Sequence, residues 1–331
     1  MTATLLEPPA VRAAPTPAQR LRVDSAAVRV SLRWLGVRKT LTPEQKTQAA
    51  ESFGAETEYL SARKKLLDTR HPAYKEVTAI RGRVLAFWKG ITLPFPEPGI
   101  RLIRQADLEG FNQQLLDLRG ALHQAVTELD AHYGELKNTA RRRLGQLYNP
   151  SDYPPSLEGL FEIDWDFPSV EPPDYLLQLS PALYEQERTR VIARFEEAVQ
   201  LAEQAFLGEF AKLISHLTER LGDSGQGQRK VFRDSAVTNL TEFFERFRQL
   251  NVRSNEQLDE LVDRAKQVVQ GVDAQALRDN DALRAQVAAQ LTRVQGIIDG
   301  LVIDQPRRRI IRSSASGQGE KPCTSSLTLR E

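Results

Sequence analysis

The sequence has little of what most catalytic and metal sites need. It contains one cysteine, Cys323, and four histidines in 331 residues. A single cysteine excludes a disulfide framework and a cysteine-based zinc site within one chain. His123 and His132 project from opposite faces of one helix, so they cannot form a joint site on it. Phosphate-loop, HExxH, GxSxG and paired CxxC patterns are also missing. These absences predict a protein that is not an enzyme and binds no cofactor.

Long apolar runs and an excess of charge are missing as well. No stretch of about 18 consecutive apolar residues occurs, so no membrane span is predicted. The opening MTATLLEPPAVRAAPTPAQR lacks the basic start and apolar run of a signal peptide, which favours the cytoplasm. With 45 Lys+Arg against 44 Asp+Glu, the net charge of +1 favours neither nucleic acid nor acidic partners.

The composition suits long helices rather than a β-sandwich, because only 19 glycines and 7 % aromatic residues are present. Residues 1–24 are rich in proline and alanine, and we expect them to be disordered. A helical-hairpin domain with a short β-pair is predicted for 25–221, followed by a linker at 222–228 (GDSGQGQ). A C-terminal helical region is predicted for 229–303. The basic and Ser/Gly-rich residues 304–331 are expected to be a disordered tail.

Leucine recurs at every seventh position of a segment that we call the leucine ladder: Leu108, Leu115, Leu122, Leu129 and Leu136. Heptad spacing is typical of a coiled-coil seam. A second apolar stripe runs through 182–221. Two stripes in one chain can pair as an antiparallel hairpin, with a high effective concentration that a homodimeric zipper lacks. The sequence therefore predicts an all-α monomer with a long coiled-coil-like hairpin, flanking helices and a minor two-stranded β element. The first long helix is expected to run from Asp107 to Leu147.

Two short segments alternate apolar and polar residues as half-buried strands do. The segment 27–34 (AVRVSLRW) has a basic polar face, with Arg29 and Arg33. The segment 161–167 (FEIDWDF) has an acidic polar face. We predict that the two segments pair side by side, so that their apolar faces cover the helices and their charges match.

The acidic face consists of Glu162, Asp164 and Asp166, which are the candidate metal ligands of the sequence. Carboxylates can hold Mg²⁺ or Ca²⁺. Side chains two apart on a strand are about 6.5–7 Å apart, so chelation would need ligands from a loop. A solvated strand face is the favoured interpretation, and no metal is predicted.

Two arginine runs are candidate nucleic-acid contacts: Arg141, Arg142 and Arg143, and Arg307, Arg308 and Arg309. In a basic zipper the basic region precedes the leucines, whereas the first run follows them here. Cations at a helix C-terminus are also favoured by the helix dipole without any ligand. The second run is the better candidate for weak, salt-sensitive contact.

Three stretches resemble an uncharacterised bacterial and phage family: 75–103 (KEVTAIRGRVLAFWKGITLPFPEPGIRLI), 130–154 (DAHYGELKNTARRRLGQLYNPSDYP) and 161–170 (FEIDWDFPSV). The resemblance covers about residues 60–220. It implies genes on mobile elements or beside a ring-forming ATPase and a protein with a metal-ion-dependent adhesion-type domain. It carries over no catalytic residue.

The sequence thus predicts a non-enzymatic helical adaptor or scaffold that binds a protein partner, with a ring-forming ATPase system as one candidate. The alternative is a nucleic-acid-associated protein that uses the two arginine runs.

Overall fold

The computed structural model describes residues 14–222 and 235–303, and these residues are mostly helical. The helices are α1 (Pro17–Asp24), α2 (Pro43–Glu51), α3 (Pro72–Gly90), α4 (Leu108–Ala131), α5 (Tyr133–Leu144), α6 (Tyr175–Leu179), α7 (Pro181–Leu221), α8 (Ser235–Leu250), α9 (Glu256–Val269), α10 (Ala274–Asp279) and α11 (Asp281–Ile303). The strands are β1 (Ser25–Arg33), β2 (Arg38–Thr40), β3 (Arg63–Lys65), β4 (Thr92–Pro94), β5 (Ile100–Arg104) and β6 (Glu162–Asp166). None of the described helices is long and apolar enough to cross a membrane.

The main sheet has four antiparallel strands in the order β4-β5-β1-β6. The predicted pairing of β1 with β6 is confirmed, but the expectation of only two strands was wrong. On its other edge β1 pairs with β5. The three prolines of residues 90–100 predict a loop there, but β4 lies within that segment and β5 begins at its end. Gly99 has a φ of +81° in the turn between β4 and β5, a conformation that glycine adopts without strain. Pro94 ends the edge strand β4, where a missing N–H is tolerated.

The sheet lies between two helical layers, and each of its two faces contributes side chains to a different hydrophobic core. Val28, Ile103 and Ile163 pack with α3 and α4 in one hydrophobic cluster. Ala27 and Leu102 face the other way and join a cluster formed with α7, α8, α9 and α11. The expected all-α fold is therefore corrected to a mostly helical fold with a central antiparallel sheet.

The ladder folds back on its own chain, but with a different partner from the one expected. Helix α4 packs against α3, and these two helices lie antiparallel. The ring centroids of Phe111, near the start of α4, and Phe87, near the end of α3, are 5.8 Å apart. At the other end of the pair, the ring centroids of His71, just before α3, and His132, just after α4, are 5.1 Å apart. The predicted hairpin of the two long stripes is not found in the described residues, because α7 packs mainly on α11, α1 and α8.

The first long helix is also divided, where a single helix from 107 to 147 was expected. His132 separates α4 from α5. Gly134 follows the break, and glycine in a helix costs about 1 kcal/mol relative to alanine. Four ladder leucines, from Leu115 to Leu136, are nonetheless buried in the cluster with α3.

The second long helix begins as Ser180 and Pro181 predict, since serine is a favoured N-cap and proline suits the first helical position. The Ser180 side chain accepts a hydrogen bond from the Leu183 N–H, and Pro181 is the first helical residue. Helix α1 differs from expectation, since it lies within the segment predicted to be disordered and buries Leu21 against the α7 layer. Residues 1–13, 223–234 and 304–331 lie outside the described residues, so the predicted linker and C-terminal tail stay predictions.

Candidate functional site

The acidic face of β6 is paired with arginines of β1. Arg29 donates to both carboxylate oxygens of Asp166, at 3.0 and 2.6 Å, and Arg33 lies 3.0 Å from Glu162. Asp164 lies opposite Ser31. The Arg29 hydrogen bond lowers the pKa of Asp166 below its usual value. Two of the three candidate metal ligands are therefore engaged in cross-strand ion pairs, and this face serves strand pairing.

The first arginine run occupies the exposed last turn of α5. Arg143 donates to Asp68 at 2.6 Å, and Arg142 donates to the Thr139 hydroxyl. The backbone N–H of Arg70 and the Arg143 guanidinium hold the pKa of Asp68 well below its usual range. Arg141 and Arg142 are exposed at the helix end. The second run, Arg307–Arg309, lies outside the described residues.

A second group of cations was missed by sequence reasoning, because Thr42 and Pro43 predict the start of a helix that was expected to run to about Leu67. Strands β2 (RKT) and β3 (RKK) pair so that Arg38 lies opposite Lys65 and Lys39 lies opposite Lys64. The side chains of Arg38, Arg63 and Lys65 are exposed. Like charges directly opposite one another destabilise a strand pair. The only signal in the sequence was the charge of these two short segments.

The structure brings this strand pair to the end of α5. A shallow cavity of about 270 Å³ is lined by Lys65, Arg70 and Arg143, with Asp68 among them. Cations from β3, from the turn before α3 and from α5 thus share one region. We call Lys65, Arg70 and Arg143, together with Arg38 and Arg63 of the same strand pair, the basic surface.

A buried carboxylate anchors this region to the chain after α5. Asp152 lies 2.6 Å from both the Lys39 and Lys64 ammonium groups, and Lys64 also donates to the Leu147 carbonyl at 2.7 Å. The side chains of Asp152 and Lys64 are almost fully buried. Burial raises the pKa of Asp152, but the hydrogen bonds from the two lysines outweigh it and hold that pKa below its usual value.

One group of potential metal ligands lies at the junction of α4 and α5. His71, His132 and Glu135 each offer a donor atom within 4.8 Å of the others. Within the described ranges no other trio of this kind occurs. The His132–Glu135 spacing was visible in the sequence, since residues three apart share a helix face. The contribution of His71 could not be seen in the sequence, because it depends on the packing of α3 against α4.

An exposed apolar surface lies where α6 packs on α7. The exposed apolar side chains of these two helices are Tyr175, Leu177, Leu179 and Leu183, whose exposed fractions range from 51 to 77 %. Over its first ten residues, 181–190, α7 buries none of its side chains, and burial begins only at Val191. About 15 Å of α7 thus extends past the core. We call these four residues the α6–α7 apolar surface.

Comparison of the chain with known proteins found no matching family, no matching curated protein and no matching solved structure.

Proposed function

We propose that the protein is a non-enzymatic adaptor or scaffold that binds a protein partner through the α6–α7 apolar surface. The observation that carries the proposal is the exposure of Leu177, Leu179 and Leu183 beside a helix that extends past its own core. Burying a leucine side chain is worth about 1.5–3 kcal/mol, so a partner that covers all three gains several kcal/mol. Clustered exposed apolar side chains are typical of interaction sites.

The charges of the neighbouring turns favour an apolar mode of recognition. Arg188 lies 3.4 Å from Glu185, and Arg190 lies 3.4 Å from Glu187. These exposed pairs leave little net charge on the first turns of α7. The partner is therefore expected to present an apolar patch rather than a strongly charged one.

The experiment is a native affinity capture of the tagged chain from its own host, with and without nuclease, read by mass spectrometry. The test variant changes Leu177, Leu179 and Leu183 to serine. The matched control is Phe53→Ser, which removes an apolar side chain that is 82 % exposed elsewhere on the chain. We expect a stoichiometric partner that survives nuclease, is retained by the control and is lost by the triple variant.

A partner that the triple variant binds as well as the unchanged chain would contradict the proposed surface. Recovery of nucleic acid alone, with proteins lost after nuclease, would contradict the adaptor function. The family resemblance makes a ring-forming ATPase the first candidate to look for among captured proteins.

We also propose that the protein is a cytoplasmic monomer. The ladder leucines from Leu115 to Leu136 are buried against α3 within one chain, so they offer no seam to a second copy. Light scattering of the purified chain tests this, and a mass twice that of the chain would contradict it.

A second candidate function, association with nucleic acid, is supported by the basic surface. Arg38 opposite Lys65 is an unfavourable pairing that an anionic ligand would offset. Phosphate contacts make affinity fall steeply with salt, by a log–log slope of about 0.9 for each contact on duplex DNA.

Anisotropy of a labelled DNA duplex, measured over a salt series, tests this candidate. The variant with Arg38, Arg63 and Lys65 changed to alanine should bind more weakly and with a shallower slope. A control with Arg188 and Arg190 changed to alanine removes cations that are locally paired. Deletion of 307–309 tests the second arginine run separately. Affinity that does not depend on salt would rule the candidate out.

A further inference from the structure

Two histidines and a glutamate from three elements meet at one end of the α3–α4 pair. His71 is the residue before α3, His132 lies between α4 and α5, and Glu135 is in the first turn of α5. Their donor atoms lie within 4.8 Å of one another, and the two imidazole rings are 5.1 Å apart.

His71 lacks the contacts that would explain it as a structural residue. It occupies the N-cap of α3, but its side chain makes no capping hydrogen bond. Its Nδ1 atom is buried and has no hydrogen-bond partner among the described residues. A buried polar atom without a partner costs about 1–3 kcal/mol, so such atoms call for an explanation.

His132 makes a side-chain hydrogen bond to a carboxylate one helical turn earlier. Its Nε2 donates to the Glu128 carboxylate at 3.1 Å. A hydrogen bond from one ring nitrogen to a carboxylate fixes the tautomer and the direction of the ring, which leaves the other nitrogen with its lone pair. Glu128 would thus be the supporting carboxylate for a metal ion bound to Nδ1 of His132.

We propose that His71, His132 and Glu135 bind one divalent transition-metal ion, with Zn²⁺ as the ion that best suits the donor set. Imidazole and carboxylate donors suit zinc, whereas Mg²⁺ and Ca²⁺ prefer oxygen alone. In a tetrahedral site with bonds of about 2.0–2.2 Å, ligand atoms are about 3.3–3.6 Å apart. Glu135 is exposed, so rotation of its side chain can bring its oxygen to that distance.

The ion joins elements that are far apart in sequence. It links the start of α3 to the break between α4 and α5, at the end of the pair opposite the β4–β5 connection. Three protein ligands leave a fourth tetrahedral position for water or for a side chain of another molecule. The site shares no residue with the α6–α7 apolar surface or with the basic surface, although Arg70 of the basic surface directly precedes His71.

The test is a titration of untagged, chelator-washed protein with Zn²⁺ in competition with a chromophoric chelator. Co²⁺ titration, followed by visible absorption, reports the coordination geometry independently. The variants are His71→Asn, His132→Asn and Glu135→Gln. Asparagine is a good N-cap residue, so His71→Asn should preserve the start of α3. His123→Asn and His216→Asn are matched controls on exposed helix positions.

We expect one Zn²⁺ per chain, an affinity at least about tenfold lower in His71→Asn and His132→Asn, and unchanged binding in both controls. Zn²⁺ should also raise the melting temperature of the unchanged chain and of the controls, but not of His132→Asn. Circular dichroism establishes that each variant is folded before its affinity is compared.

Two results would overturn the proposal. One is that the folded, unchanged chain binds neither Zn²⁺ nor Co²⁺ at metal concentrations up to about a hundred micromolar. Structural zinc sites bind far more tightly than that concentration would require. The other is stoichiometric binding that His71→Asn and His132→Asn leave unaltered, since the ion would then lie elsewhere.

Discussion

Arg29 on β1 lies directly opposite Asp166 on β6, and its guanidinium donates to both oxygens of that carboxylate. The contact joins segments that are 137 residues apart in sequence. The basic strand β1 and the acidic strand β6 are thus neighbours in one sheet.

The stability of this sheet should depend on acid pH through Asp166. The Arg29 hydrogen bond lowers the pKa of Asp166, so ionisation of that carboxyl group favours the folded state. Its contribution is complete above the unfolded-state pKa of about 3.9 and is lost as the pH falls through the lower folded-state pKa. Asp166→Asn should therefore reduce stability at pH 7 and leave it nearly unchanged at the acid end. Urea unfolding over a pH series measures this.

Asp164→Asn is the matched control, since Asp164 lies on the same strand opposite Ser31. An equal loss of stability in both variants at pH 7 would show that the Arg29 contact has no special role.

The buried Asp152 should be among the most sensitive positions of the chain. Asp152→Ala leaves the Lys64 ammonium buried without its carboxylate, a change that typically costs about 3–5 kcal/mol. Replacing Lys64 with methionine in the same chain should recover most of the loss, because no unpaired charge is then buried. Chemical denaturation of both single variants and the double variant measures the coupling. Strictly additive losses would argue against the pair.

The leucine ladder gives a direct test of which α4 face is in the core. Leu115 is fully buried, whereas its neighbour Leu116 is 37 % exposed. Leu115→Ala should reduce the free energy of unfolding by about 2–5 kcal/mol. Leu116→Ala should cost less, since more than a third of that residue is already exposed to solvent. Denaturant unfolding compares the two, and equal losses would mean that α4 is rotated from the described orientation.

Helix α1 should stabilise the fold, although its segment looks disordered in sequence. Leu21 is buried in the cluster that contains α7, and Arg20 donates to the Val252 carbonyl at 2.9 Å. Leu21→Ala should lower the free energy of unfolding by about 2–5 kcal/mol. Val23→Ala, at an exposed position of the same helix, is the control and should have little effect. A chain that tolerates both changes equally would place α1 outside the cooperative fold.

Local patterns in the sequence identified several elements and their buried faces. Alternation predicted β1 and β6, and their opposite charges predicted that these two strands pair. Ser180 and Pro181 marked the start of α7 because N-cap chemistry depends on neighbouring residues alone. The heptad leucines identified the buried face of α4 in the same way.

The sequence by itself therefore determined β1 and β6, the start of α7 and the buried face of α4. Only the tertiary structure decided what covers those faces: α3 rather than α7 against the ladder, β5 beside β1, and α1 against α7. It also brought His71 to His132 and the cations of β3 to the end of α5. The physical reason is that periodicity depends on backbone geometry, which is local, whereas the choice among several apolar partners depends on how all elements of the chain pack together.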